Sequence, residues 1–189
     1  MLIVTDAELT GYVQKKELVT LFRSFDEPDL YVSGYLLVFS TDLLLLQRED
    51  EFLLNGYSVL RRRDLEGIRC GPYEKTLHKI LRAEGVLEGT FGIEPPLPPD
   101  SWPDLFRALK RRDLHVIVEC EEEEEPGFFI GPVELVSLHS VGVQTYDPDG
   151  QLAGQWSIIP FENITKVTFG DRYTTVFRKY LKPPRKKKS

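Results

Sequence analysis

Apolar positions along the 189-residue chain recur first at helical spacing, then at alternating spacing through five short stretches, then at helical spacing again. The whole cycle then repeats. Thr5-Asp-Ala-Glu8 and Ser101-Trp-Pro-Asp104 both place a hydroxyl three residues before a carboxylate, the form of a helix-capping box. Leu9 with Val13, and Leu105 with Leu109, continue each into one face of a short helix. The alternating stretches predict strands at 19–25, 30–40, 43–47, 56–60 and 65–70, and again at 115–120, around Gly131, at 141–146, 155–159 and 164–169. Polar turns separate them: Arg48–Glu51 and Asp147-Pro-Asp-Gly150 after the third strand, Arg61–Asp64 and Pro160–Asn163 between the fourth and fifth. Gly34 and Gly131 fall inside the second strand of each set, where a missing Cβ lets a long strand bend sharply. Each set closes on a helix, carried by Tyr73, Leu77 and Leu81 or by Tyr173, Phe177 and Leu181.

The repetition is plainest in Tyr57-Ser-Val-Leu-Arg-Arg-Arg-Asp-Leu-Glu-Gly-Ile-Arg-Cys-Gly71, matched without a gap by Trp156-Ser-Ile-Ile-Pro-Phe-Glu-Asn-Ile-Thr-Lys-Val-Thr-Phe-Gly170. The chain therefore reads as two versions of one domain, at 5–84 and 101–182, with a basic tail over 183–189. Between them, 85–100 holds Gly85, Gly89, Gly92, Pro95, Pro96, Pro98 and Pro99, the composition of a linker. Its interleaved Val86, Leu87, Phe91, Ile93 and Leu97 predict that it lies against a domain surface.

A capped helix, five short strands with a bent second strand, a one-turn link between the fourth and fifth, and a closing helix resemble the Sm-like fold. That fold belongs to the SH3-type small β-barrels, and here it would be duplicated in tandem. The resemblance implies a mainly β protein of two five-stranded barrels, each with an N-terminal and a C-terminal helix. RNA-binding Sm proteins carry an Asp and an Asn near the turn after strand two, and an Arg-Gly or Lys-Gly pair near strand five. Here Ser40-Thr-Asp-Leu-Leu44 and Leu138-His-Ser-Val141 lack the Asn, Cys70 separates Arg69 from Gly71, and Val167-Thr-Phe-Gly170 has no basic residue. The likeness in fold thus does not carry RNA binding with it.

Net charge is −6, and removing the +5 of Lys182–Ser189 leaves a body of −11, a poor match to a phosphate backbone except through the tail. The longest apolar run, Leu36–Leu46, is broken by Ser40, Thr41 and Asp42 and falls short of the roughly 20 residues of a membrane helix. With no basic stretch and apolar core at its start, the chain is read as cytoplasmic, without a membrane partner. Cys70 and Cys120 occupy unrelated repeat positions and read as reduced thiols rather than a disulfide or metal pair.

Candidate chemistry is sparse. His78, His115 and His139 have no repeat partners and read as isolated core or surface residues. No phosphate loop, Cys-x-x-Cys pair, His-Glu-x-x-His helix or nucleophile elbow occurs, so neither catalysis nor a cofactor or metal is expected. The run Glu121–Glu125 lacks the spacing of a calcium loop and reads as a solvated hairpin, with docking of the chain's own basic tail as the other possibility. Aromatics at matched repeat positions, Tyr57 with Trp156 and Tyr73 with Tyr173, are expected in the core. The unmatched Phe128, Phe129 and Phe161 are expected at an exposed interface with a protein partner or a second copy. The expected function is therefore a non-catalytic adaptor. The alternative is nucleic-acid binding through Lys15, Lys16, Arg61, Arg62, Arg63 and the tail residues Arg185, Lys186, Lys187 and Lys188.

Overall fold

A computed structural model describes residues 4–24, 31–89, 91–93, 96, 97, 100–122 and 124–184. Two compact units divide the chain, Met1–Asp100 and Ser101–Ser189. Both are mainly β with short helices.

The first unit opens on α1 (Asp6–Lys15). Thr5 caps it through a full capping box, its hydroxyl accepting from the Glu8 amide while the Glu8 carboxylate accepts from the Thr5 amide at 2.8 Å. Five strands follow: β1 (Leu18–Arg23), β2 (Val32–Phe39), β3 (Leu43–Asp50), β4 (Leu53–Arg61) and β5 (Leu65–Arg69). They form an antiparallel sheet in the order β5-β1-β2-β3-β4. Both faces are covered. On one, α1 sets Leu9 on Val19, Leu21, Leu36, Leu44, Leu46 and Leu60. On the other, α2 (Pro72–Ala83) brings Leu77 and Leu81 onto Leu18 and Tyr35. Double coverage explains why Leu43 to Leu46 are all buried without alternation. Burying each such side chain fully contributes about 1.5–3 kcal/mol.

The second unit repeats the order with α3 (Trp102–Arg111), β6 (His115–Cys120), β7 (Gly127–Val136), β8 (Ser140–Val143), β9 (Ser157–Pro160), β10 (Lys166–Phe169) and α4 (Arg172–Phe177). Its sheet runs β10-β6-β7-β8-β9, again antiparallel. The registers coincide. Leu18 faces Tyr35 and Thr20 faces Ser33, while His115 faces Pro132 and Ile117 faces Ile130, each 97 residues further on, as His115 is from Leu18. Even the irregularity recurs: β2 shifts register between Leu36 and Val38, β7 between Val133 and Leu135. Gly34 and Gly131 sit just before these shifts, where an added Cβ would lie 2.3 Å from the Gln47 carbonyl oxygen and 2.0 Å from that of Gln144. Only glycine allows the neighbouring strand so close.

Several expectations need correction. Two five-stranded barrels with the edges of their fourth and fifth strands free were expected; among the described residues no ladder joins β4 to β5 or β9 to β10, and the strands of each unit lie in an open antiparallel order rather than a clear barrel. The tight 3-10 turn Arg62–Asp64 carries the chain away from β4, so that β5 pairs with β1 instead. Strand β3 runs on through Arg48–Asp50, and the turn falls at Glu51 and Phe52, whose φ of 49° and 65° are left-handed. Charge in that stretch marked solvent exposure, not the turn itself. In the second unit the turn falls at Asp147–Gly150 as expected, with the Gly150 amide donating to the Asp147 carbonyl at 2.9 Å. The closing helix α4 is short because Thr174, Thr175 and Val176 are β-branched, and a 3-10 turn over Arg178–Tyr180 follows it. Of the segment read as linker, Val86, Leu87 and Phe91 join the α2 cluster, as its interleaved apolar residues implied, and the Gly92 amide donates to Gln47 Oε1 at 2.7 Å.

Candidate functional site

Among the described basic candidates, Arg61, Arg62 and Lys16 are held by partners within the first unit. Arg61 is buried and its Nε donates to the buried Asp64 carboxylate at 2.6 Å, which removes it from any exposed patch. Arg62 donates to Asp6 and to the Ser40 carbonyl, with its guanidinium 5.8 Å from the Phe39 ring centroid. Arg63 is largely exposed. At the end of α1, Lys15 is exposed and Lys16 holds its ammonium 5.0 Å over the Phe91 ring. Arg185, Lys186, Lys187 and Lys188 lie outside the described residues.

Among the interface candidates, Phe128 is 62% exposed at the start of β7 and Phe129 is half-buried. Phe161 is a correction: it is buried, stacked on Phe106 of α3 with centroids 5.8 Å apart. The turn after β9 tucks its ring beneath that helix. The matched aromatics are also corrected, since Trp156, Tyr73 and Tyr173 are about half exposed and Tyr57 is only partly buried, donating to the Gly92 carbonyl at 2.6 Å. Equivalence between repeats marks a shared position, not a buried one.

Both cysteines are free thiols, Cys120 buried and Cys70 partly exposed, with burial pushing the Cys70 thiol up. Among the described residues no cluster of His, Cys, Asp and Glu could hold a metal ion. At the acidic turn, Lys166 Nζ lies 3.0 Å from Glu119 and 3.6 Å from Glu121. The described part of the tail goes elsewhere: Lys182 Nζ donates to the Asp149 carbonyl at 3.0 Å.

One concave site stands out in the second unit, with a cavity of about 380 Å³. Four segments build its walls. Ile117 of β6 and Ile130 of β7 are cross-strand partners, and Phe128, two residues before Ile130, shares their face because side chains alternate along a strand. Thr145, Tyr146, Asp147 and Pro148 enter from the loop after β8, and Tyr173 from the first turn of α4. Asp171 fixes that helix start by accepting from the Tyr173 amide at 3.1 Å and the Thr174 amide at 3.4 Å. Behind the wall three rings stack, Phe177 against both Tyr146 and Tyr173 with centroids 5.2 Å apart in each pair.

Two polar atoms in this cluster have no hydrogen-bond partner, the Tyr146 hydroxyl and His115 Nδ1. Tyr146 is 7% exposed, and burial raises its pKa above the ordinary tyrosine value. His115 sits beside it, ring centroids 5.9 Å apart, and its pKa falls to about 4, through burial first and the Arg178 charge second, against the opposing pull of Asp113. It is a neutral imidazole at neutral pH.

Of the groove residues, sequence reasoning singled out Phe128 alone. The available signal was divergence between the repeats: Thr20 and Ser33 become Ile117 and Ile130 at the same register positions. A scan against family models matches none, and searches of curated proteins and of solved structures find no match either.

Proposed function

We propose that the chain is a non-catalytic, cytoplasmic binding protein built from two diverged copies of one Sm-like unit. Recurrence of element order, register, bulge and bending glycine supports common descent of the two units. The protein acts as an adaptor, holding a protein partner in the groove of the second unit. The observation that carries this reading is the 380 Å³ cavity flanked by Phe128 and Tyr173, at 62% and 51% exposure. Large apolar surface left open around a concavity is the usual mark of an interface.

The test is a pull-down from lysate with the wild-type chain and with Phe128→Ser, at low and high salt. A defined protein retained in high salt and lost with Phe128→Ser is the expected result. Recovery of nucleic acid alone, vanishing in high salt and unaffected by the substitution, overturns the reading, because phosphate-dominated binding weakens steeply with salt.

A further inference from the structure

The chemistry around the groove narrows its occupant, given that the groove binds protein. Its 380 Å³ exceeds the need of one aliphatic side chain and falls within the range of about 300–1,000 Å³ that holds compact organic groups. The walls of Ile117, Ile130, Pro148, Phe128 and Tyr173 suit a flat apolar group. Tyr146 belongs to the same wall.

The rim is acidic. Asp147 lies in the wall, Asp149 follows in the same turn, Glu124 and Glu125 are exposed immediately before the strand that carries Phe128, and Glu119 is the cross-strand partner of Phe128. Among the described residues the nearby cations are fewer. Lys166 is held by Glu119 and Glu121, Lys182 donates to the Asp149 carbonyl, and Arg172 precedes Tyr173. A neutral or acidic segment would meet repulsion or no attraction here, whereas a basic one is drawn to the rim.

From these features we infer that the groove takes a basic peptide segment, seating one aromatic side chain against Phe128 and Tyr173.

A random peptide library displayed on phage, selected on the full chain, tests this. Enriched sequences, made as labelled peptides, are titrated by fluorescence anisotropy against wild type and Phe128→Ser. Expected are sequences with one Trp, Tyr or Phe flanked by Lys or Arg. Phe128→Ser should weaken them about tenfold or more, as loss of an interface anchor does. Enriched sequences that depend on Phe128 but are acidic, neutral or without an aromatic residue overturn the occupant and leave the groove as a binding site. Failure to enrich any Phe128-dependent sequence overturns both.

Discussion

In the first unit Thr20 and Ser33 lie side by side on β1 and β2, and the Thr20 hydroxyl donates at 2.8 Å to Glu74 of α2. The same carboxylate accepts from Arg69 Nε at 2.8 Å and from the Gly71 amide at 2.7 Å, so a buried acid bolts the closing helix to the sheet. At the matching positions the second unit has Ile117, Ile130 and, opposite Ile117 on β10, Thr168. No acid projects from α4, which is half as long, six residues against twelve. The first unit closes this face with a long helix, a polar bolt and the chain segment around Phe91. The second leaves it apolar and partly open, with the groove cavity on it. Coverage by the closing helix, not strand geometry, separates the two faces.

What the units share can be broken in both. Replacing Gly34 or Gly131 with Ala drives a Cβ onto the carbonyl oxygen of Gln47 or Gln144, at 2.3 and 2.0 Å. A backbone oxygen held in a ladder has nowhere to go, so each substitution should cost about 3 kcal/mol in urea unfolding. Similar losses in the two variants are expected. Tolerance of one and not the other would show that the bend is maintained differently in the two copies.

The framework was legible because glycines, capping hydroxyls and turn residues act locally. Thr5, Ser101 and the Asp147–Gly150 turn do in the structure what their neighbours in sequence imply. The groove was not, because its residues come from four separated segments and their exposure depends on how far α4 extends. Tyr173 and Tyr73 illustrate the difficulty: equivalent in position, both are half exposed, and nothing local marks Tyr173 as the one bordering this cavity. Phe161 shows the converse, since nothing local reveals that Phe106 stacks on it.

The second break falls on His115, where the first unit has Leu18. Its pKa drops from the ordinary 6.5 to about 4 because burial and Arg178 disfavour the charged ring, outweighing Asp113. Between those values the unfolded chain takes up a proton that the folded chain refuses. The stability that depends on a neutral His115 is therefore complete above about pH 6.5 and is lost as pH falls towards 4, by as much as about 3 kcal/mol. His115→Leu, which installs the residue of the first unit, should flatten stability across that interval in denaturant titrations. If the slope persists in the variant, the sensitivity lies elsewhere and the two faces differ less than their chemistry implies.

The smallest effect belongs to the bolt. Burial raises the Glu74 pKa, but bonds from Arg69, Thr20 and the Gly71 amide more than offset it, leaving the carboxyl below its ordinary 4.5. With the folded value depressed, its contribution is full above about pH 4.5 and lost as pH falls below it. Glu74→Gln keeps the shape and part of the hydrogen bonding while removing the charge. Because Arg69 is half exposed, the expected loss at neutral pH is modest, about 1–2 kcal/mol. The variant should also lose less on acidification below pH 4.5 than the wild type. Thr174, the counterpart on α4, donates to Asp171 at its own helix start and carries no ionised group to the sheet, so Thr174→Ser, which keeps that bond, should leave that acid-side slope unchanged. An equal response to the two substitutions would mean that α2 is held by its apolar contacts alone. The bolt would then be incidental, and helix length by itself would explain why one face is closed and the other open.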